Sequence, residues 1–231
     1  MKSWTAFWTR LRLLRVESNI SNDVVLTSDQ IRERLAGTNL EKSLAGVMMP
    51  PGANMWPDQL REKLNSTLIP AAVLVPIVER TAGLTVLLTR RSAELKHHAG
   101  QVSFPGGGAE DQDASLVETA LRETHEEVGV RSEDVSVVGF LSTMPSITSY
   151  SVTPVVGMVS AQTEVVINTT EVEYTFEVPL QFLLDEGNDI RGEWASGTRK
   201  MPMLEFDWEG ERIWGLTAFI IRVLRQKLLK Q

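Results

Sequence analysis

Glu123, Glu126 and Glu127 stand three and four residues apart, directly after Arg122 and just ahead of Gly129. On an α-helix such neighbours share one face, and like charges so placed destabilise a bare helix. A divalent cation with oxygen ligands would offset that repulsion. The plain alternative is a solvated acidic face on a surface helix. Three features favour chemistry: a Gly-rich acidic loop precedes the helix (Gly106 to Asp113), an arginine adjoins the first glutamate, and a glycine ends the run. Val117, Leu121, Thr124 and Val128 follow the same spacing and are expected to form the buried stripe of that helix.

Immediately upstream, Arg90, Arg91, Lys96, His97 and His98 crowd a short segment between two apolar runs. A strand, a basic loop and a second strand feeding Gly106 and Gly107 would set cations beside the acidic helix. That suits a substrate carrying several phosphates, because charge-assisted contacts to phosphate are strong. A solvated basic turn is the alternative.

The segment Arg122-Glu123-Thr124-His125-Glu126-Glu127-Val128-Gly129-Val130 resembles the second half of the Nudix box, the mark of metal-dependent hydrolases of nucleoside diphosphates linked to another moiety. The resemblance implies that Glu123, Glu127 and Glu126 bind Mg2+ or Mn2+ and that Arg122 orients them. One position departs from the pattern. The lone glutamate eight residues before the arginine falls on Ala114, and Asp113, Asp111 or Glu110 is expected to substitute. The run from Leu87-Leu88-Thr89-Arg90-Arg91-Ser92 to Gly100-Gln101-Val102-Ser103-Phe104-Pro105-Gly106-Gly107 is similar to the signature of the coenzyme A pyrophosphatase branch. This implies hydrolysis of the diphosphate of coenzyme A or its thioesters to 3′,5′-ADP and 4′-phosphopantetheine or its acyl form. On that reading Arg91 and His98 take phosphate, Gly106 and Gly107 let backbone approach metal and phosphate, and Glu126 or Glu171 is the general base. The alternatives are a Nudix hydrolase of ADP-ribose, a dinucleotide or a nucleoside triphosphate, and a Nudix-fold sensor that binds a nucleotide without cleaving it.

The elements that must position these residues follow from pattern. Apolar runs at Ala71 to Val78, Leu84 to Thr89, Gln101 to Phe104, Val135 to Ser142, Val152 to Val159 and Val172 to Val178 read as strands. Pro76 belongs at an edge or bulge. Helices are expected over Thr27 to Gly37, Pro57 to Leu64, Pro179 to Leu184 and Leu216 to Leu229, with Leu40 to Trp56 as loop and a hairpin around Glu209-Gly210. Strands alternating with helices predict an α/β fold. The resemblance implies the same layout, a Nudix-type α/β/α sandwich with a mixed β-sheet, for the domain over residues 66–231; residues 1–65 lie outside the resemblance and read as a helical N-terminal extension.

The 231 residues suffice for a sizeable core. A net charge of −7 argues against nucleic acid as a partner, since phosphate neutralisation needs a basic face. The absence of cysteine excludes disulfides and thiolate chemistry and suits a cytoplasmic address. Met1 to Arg15 carries Trp4, Phe7, Trp8, Leu11 and Leu14 at helical spacing among Lys2, Arg10, Arg12 and Arg15. This helix is expected to pack on the domain or across a homodimer interface, with contact to a membrane surface as the alternative.

Overall fold

The computed structural model describes residues 25–229, apart from 45, 51–57, 59–60, 63–66 and 197–198. The amphipathic stretch Met1 to Arg15 and most of the helix expected at Pro57 to Leu64 lie outside the described residues.

A mixed sheet is built from β1 (Ile69–Arg80), β2 (Gly83–Arg91), β3 (Val102–Ser103), β4 (Gly106–Gly108), β5 (Val135–Phe140), β6 (Met144–Pro145), β7 (Tyr150–Val159) and β8 (Val172–Pro179), with near-continuous apolar runs in its central strands β1 and β7. The main path runs β3-β2-β1-β7-β5, with β4 on β1, β6 on β7 and β8 on β2. β1 and β7 run parallel over Ile69–Val78, and the other pairings are antiparallel. The helices are α1 (Ser28–Leu35), α2 (Leu40–Leu44), α3 (Leu116–Val128), α4 (Leu180–Leu184) and α5 (Gly215–Leu229).

Alternation of side chains divides the core in two. Val75, Ile77, Val86, Leu88, Val156 and Met158 join residues of α1, α4 and α5 in one cluster. Ala72, Leu74 and Val155 pack with Ala120, and Val78, Leu87 and Val159 with Val128, on the α3 side. Successive residues of one strand thus feed opposite layers, and the α/β/α sandwich expected from the sequence is observed.

Three local outcomes differ from expectation. A short helix, α2, forms within the stretch read as loop, where the Asn39 side chain accepts the Lys42 N–H at 2.8 Å. A further strand, β9 (Ile190–Ser196), extends the hairpin of β10 (Arg199–Trp208) and β11 (Glu211–Trp214) into a three-stranded sheet. Pro76 lies inside the sheet rather than at its edge. β1 pairs with β2 only from Ile77 to Arg80, and β4 takes the same side of β1 at Ala71–Val73. Between them the Leu74 N–H points outward to the Pro105 carbonyl, 2.9 Å away. Two residues on, the Pro76 nitrogen faces the same gap, where no ladder bond is lost. This parting of β1 from β2 admits the β3–β4 segment, and the candidate site sits there.

α1 is integral to the core. Thr27 caps it in a reciprocal capping box with Gln30, and Ile31 and Leu35 are fully buried with sheet and α5 residues. Ile31→Ala is expected to lower stability by about 2–4 kcal/mol in urea unfolding; a loss under about 0.5 kcal/mol would mean that α1 does not share this core.

Candidate active site

The helix that carries the glutamates is firmly bounded. Ser115 Oγ accepts the Glu118 N–H at 3.3 Å, while the Glu118 carboxylate reaches back to the Ala114 N–H at 2.7 Å. At the other end Gly129 takes φ 72°, and a Cβ there would stand 2.9 Å from the Val166 carbonyl oxygen, so a side chain is excluded both by backbone and by space. The buried stripe differs from the one expected. Thr124 and Val128 are buried, but Val117 and Leu121 are only half-buried, and Thr119, Ala120 and Glu127 complete the inward face. The helix is rolled so that a glutamate, not a leucine, enters the parting of β1 and β2.

Glu127 is 1 % exposed. Its carboxylate accepts from Arg91 Nη1 at 3.0 Å and from the Gly106 N–H at 3.2 Å. Burial pushes its pKa up to about 7, with Glu123 and Glu171 adding to the rise and Arg91 and Gly106 opposing it. Glu123, partly buried, is also raised, chiefly by burial; Arg122 opposes this and Glu126 and Glu171 add to it. Glu126 is the exposed member and lies 3.2 Å from Arg122 Nη1. The three glutamates therefore do not share one environment, but grade from interior to solvent.

Two glycines make this packing available. A Cβ on Gly107 would fall 2.4 Å from the Glu123 carboxylate, and one on Gly106 would fall 2.4 Å from the Ala72 carbonyl oxygen. Their missing side chains make room for the chain's own carboxylate and backbone. Glu171, at the entrance to β8, arrives from outside the helix. The backbone N–H of Asn168 donates to the Glu127 carbonyl at 2.9 Å, and the Asn168 side-chain amide reaches the Glu171 carboxylate at 3.4 Å. One residue of the preceding loop thus ties the helix to the glutamate that was singled out from the sequence.

Arg122 spans the cluster. It donates to Glu123 at 3.0 Å, to Glu126 at 3.2 Å and to the Gly108 carbonyl at 3.1 Å, and grips Asp113 through two bonds at 2.9 and 3.0 Å. The Asp113 side chain is 3 % exposed and also accepts from Thr119 Oγ1 and the Glu110 N–H, both at 2.9 Å. Chiefly because of Arg122, its carboxyl is held well below the usual aspartate range. Asp113 is thus fully engaged as the arginine's anchor. Ala114, where the family pattern carries its lone glutamate, is exposed. The anchoring role of Asp113 was not legible in the sequence, which displayed only a nearby carboxylate.

The basic segment separates into two faces. Arg91 reaches Glu127, whereas Arg90, on the opposite face of β2, bonds Glu211 at 3.2 Å. Buried Nε atoms of both arginines have no hydrogen-bond partner. Lys96, His97 and His98 are exposed, and His98 Nδ1 contacts Gln101 at 2.9 Å on the turn; its partner is that amide, not a carboxylate of α3.

Among the described residues no three Asp, Glu or His side chains stand ready as a coordination shell, since Arg91, Arg122 and Gly106 engage them. The donor set nonetheless fits a hard divalent cation. It is all oxygen, partly buried, and its carboxylates raise one another's proton affinity.

Residues 68–196 match the NUDIX domain family. The uncharacterized Nudix hydrolase NudL of Pectobacterium atrosepticum is 45% identical over 157 residues, covering 67% of this chain and 80% of that protein. NudL of Yersinia enterocolitica is 46% identical over 162 residues, covering 68% and 80%. Among solved structures, the Nudix hydrolase RenU of M. smegmatis aligns over 49% of this chain and 72% of its own, with 24% identity and a TM-score of 0.42.

Asp113→Asn is expected to cost roughly 1–3 kcal/mol at pH 7, because it weakens a buried, multiply bonded anchor. A carboxyl whose folded pKa is depressed contributes stability above its unfolded pKa and loses it as pH falls. The gap between wild type and variant should therefore narrow below about pH 4. Denaturant unfolding at several pH values checks this, and a gap independent of pH would remove Asp113 from the charged anchor.

Proposed function

The chain belongs to the Nudix family, and from that premise we propose that it hydrolyses the diphosphate of coenzyme A or its thioesters, releasing 3′,5′-ADP and 4′-phosphopantetheine or its acyl form. The observation that carries the reading is the meeting of two sequence signatures at one carboxylate. Arg91, from the upstream run, and Gly106, at its end, both bond Glu127 of the Nudix helix. The residues that specify the branch and those that specify the superfamily thus build a single wall.

Glu123 and Glu127 would hold Mg2+ or Mn2+, with Glu126 at the solvent side. When bound, the cation supplies charge neutralisation for the diphosphate and acidifies the attacking water. Arg122, anchored by Asp113 and the Gly108 carbonyl, keeps Glu123 and Glu126 from swinging away. Arg91 gives one nitrogen to Glu127 while its side chain stays 23% exposed, and the exposed part of the guanidinium suits a phosphate oxygen. Of the two candidate bases, Glu171 fits better. Glu126 is already engaged by Arg122, while among the described residues the Glu171 carboxylate accepts only from the Asn168 side-chain amide. Water attacks one phosphorus in line, its proton passes to the Glu171 carboxylate, and the bridging P–O bond breaks, with the leaving phosphate carrying the charge.

Two measurements test this. Glu127→Gln should fold as the wild type by circular dichroism yet lose at least about a hundredfold of its metal-dependent turnover; full activity would sink the site assignment. In a panel with Mg2+ or Mn2+, coenzyme A should be cleaved faster than ADP-ribose, dinucleotides or nucleoside triphosphates. Faster turnover of ADP-ribose would overturn the substrate while leaving the family chemistry in place.

A further inference from the structure

We propose that Glu211, on the second sheet, is a positioning residue for Arg91, acting through Arg90. The proposal rests on the reading of Arg91 as the diphosphate contact. Glu211 lies in β11, far in sequence from either signature, and its carboxylate is shared. One oxygen accepts from the Tyr174 hydroxyl at 2.6 Å, and the other from Arg90 Nη1 at 3.2 Å. Tyr174 and Arg90 are direct partners in the β2–β8 ladder. Three strands therefore converge on one carboxylate whose side chain is 19% exposed.

The place of this convergence matters. The β2–β8 register shifts between Arg90 and Arg91, so regular ladder bonding gives way at the residue that must aim at Glu127. Beyond it, Arg91 opens a turn closed by its own N–H to the Gln101 carbonyl at 2.9 Å and by the Gly100 N–H to the Arg91 carbonyl at 3.1 Å. The Arg90 guanidinium lies against this closure, with Nη2 3.7 Å from where a Cβ on Gly100 would stand. A second tether comes from α5, where Thr217 Oγ1 donates to the Val102 carbonyl at 3.0 Å. The β11–α5 segment thus grips the root of the basic turn on the face opposite the carboxylates. With Arg90 fixed there, its neighbour is held to the other face, and the Arg91 guanidinium keeps its line to Glu127 and to substrate.

The experiment compares wild type, Glu211→Gln, Arg90→Gln and the double variant as full-length chains. Steady-state kinetics with the diphosphate substrate, hydrogen–deuterium exchange and thermal unfolding are read together. For Glu211→Gln the KM should rise roughly three- to tenfold with kcat within about twofold. Exchange should quicken in the peptide covering residues 91–101 and not in α3. The double variant should be no worse than Arg90→Gln alone, since both remove the same contact. A lowered Tm with unchanged KM and unchanged exchange at 91–101 would make Glu211 a plain sheet-to-sheet tie and overturn the proposal. If the wild type cleaves no diphosphate, the proposed function fails, and exchange at 91–101 alone then decides whether Glu211 holds the turn.

Discussion

A carboxylate with 1% of its surface exposed is placed where β1 and β2 part, and much of the molecule is arranged around that burial. Removing an ionised group from water costs several kcal/mol unless it is paired and hydrogen-bonded. Glu127 obtains a guanidinium from β2 and a backbone N–H from β4. Each donor in turn needs the gap between the strands to be open. That gap begins at Pro76, which has no N–H to pair across it, and is lined by Gly106 and Gly107, whose bare Cα atoms let β1 and α3 close in.

The same crowding explains why the site is unbalanced in charge. Asp113, Glu123, Glu126, Glu127 and Glu171 gather around Arg91 and Arg122, with Glu110 4.0 Å from Arg122 Nη1, so carboxylates outnumber guanidinium groups here. Asp113 takes two of the five hydrogen bonds of Arg122, and the proton affinities of Glu123 and Glu127, raised chiefly by burial, are raised further by their carboxylate neighbours. A divalent cation would remove that excess, a use for a glutamate row that helix energetics alone disfavour.

The long strands, α1, α5 and the acidic helix face were legible because they rest on local periodicity and on end signals such as Thr27 and Gly129. What escaped depends on contacts distant in sequence. Leu121 does pack, half-buried, against the Ala120 cluster, but helical spacing alone carries no knowledge of the glycines that let Glu127 turn inward in place of Val117. Asp113 reads as a spare ligand in the sequence, and its role as an anchor depends on the grip of Arg122 nine residues away. Arg90 and Arg91 looked alike, yet strand alternation sends one to Glu127 and the other to Glu211. β9 was missed because its strand character comes from pairing with β10 rather than from its own mixed sequence. The presence of Glu171 at the site came from resemblance, and the Asn168 turn supplies its physical cause.

The central claim is that these carboxylates form a divalent-cation site centred on Glu127. Titration of the full-length chain with Mn2+, followed by the loss of the free-ion signal in electron paramagnetic resonance, tests it without reference to any substrate. Saturable binding is expected in the wild type, weakened at least about tenfold in Glu127→Gln. Equal Mn2+ affinity in the two proteins would contradict the account.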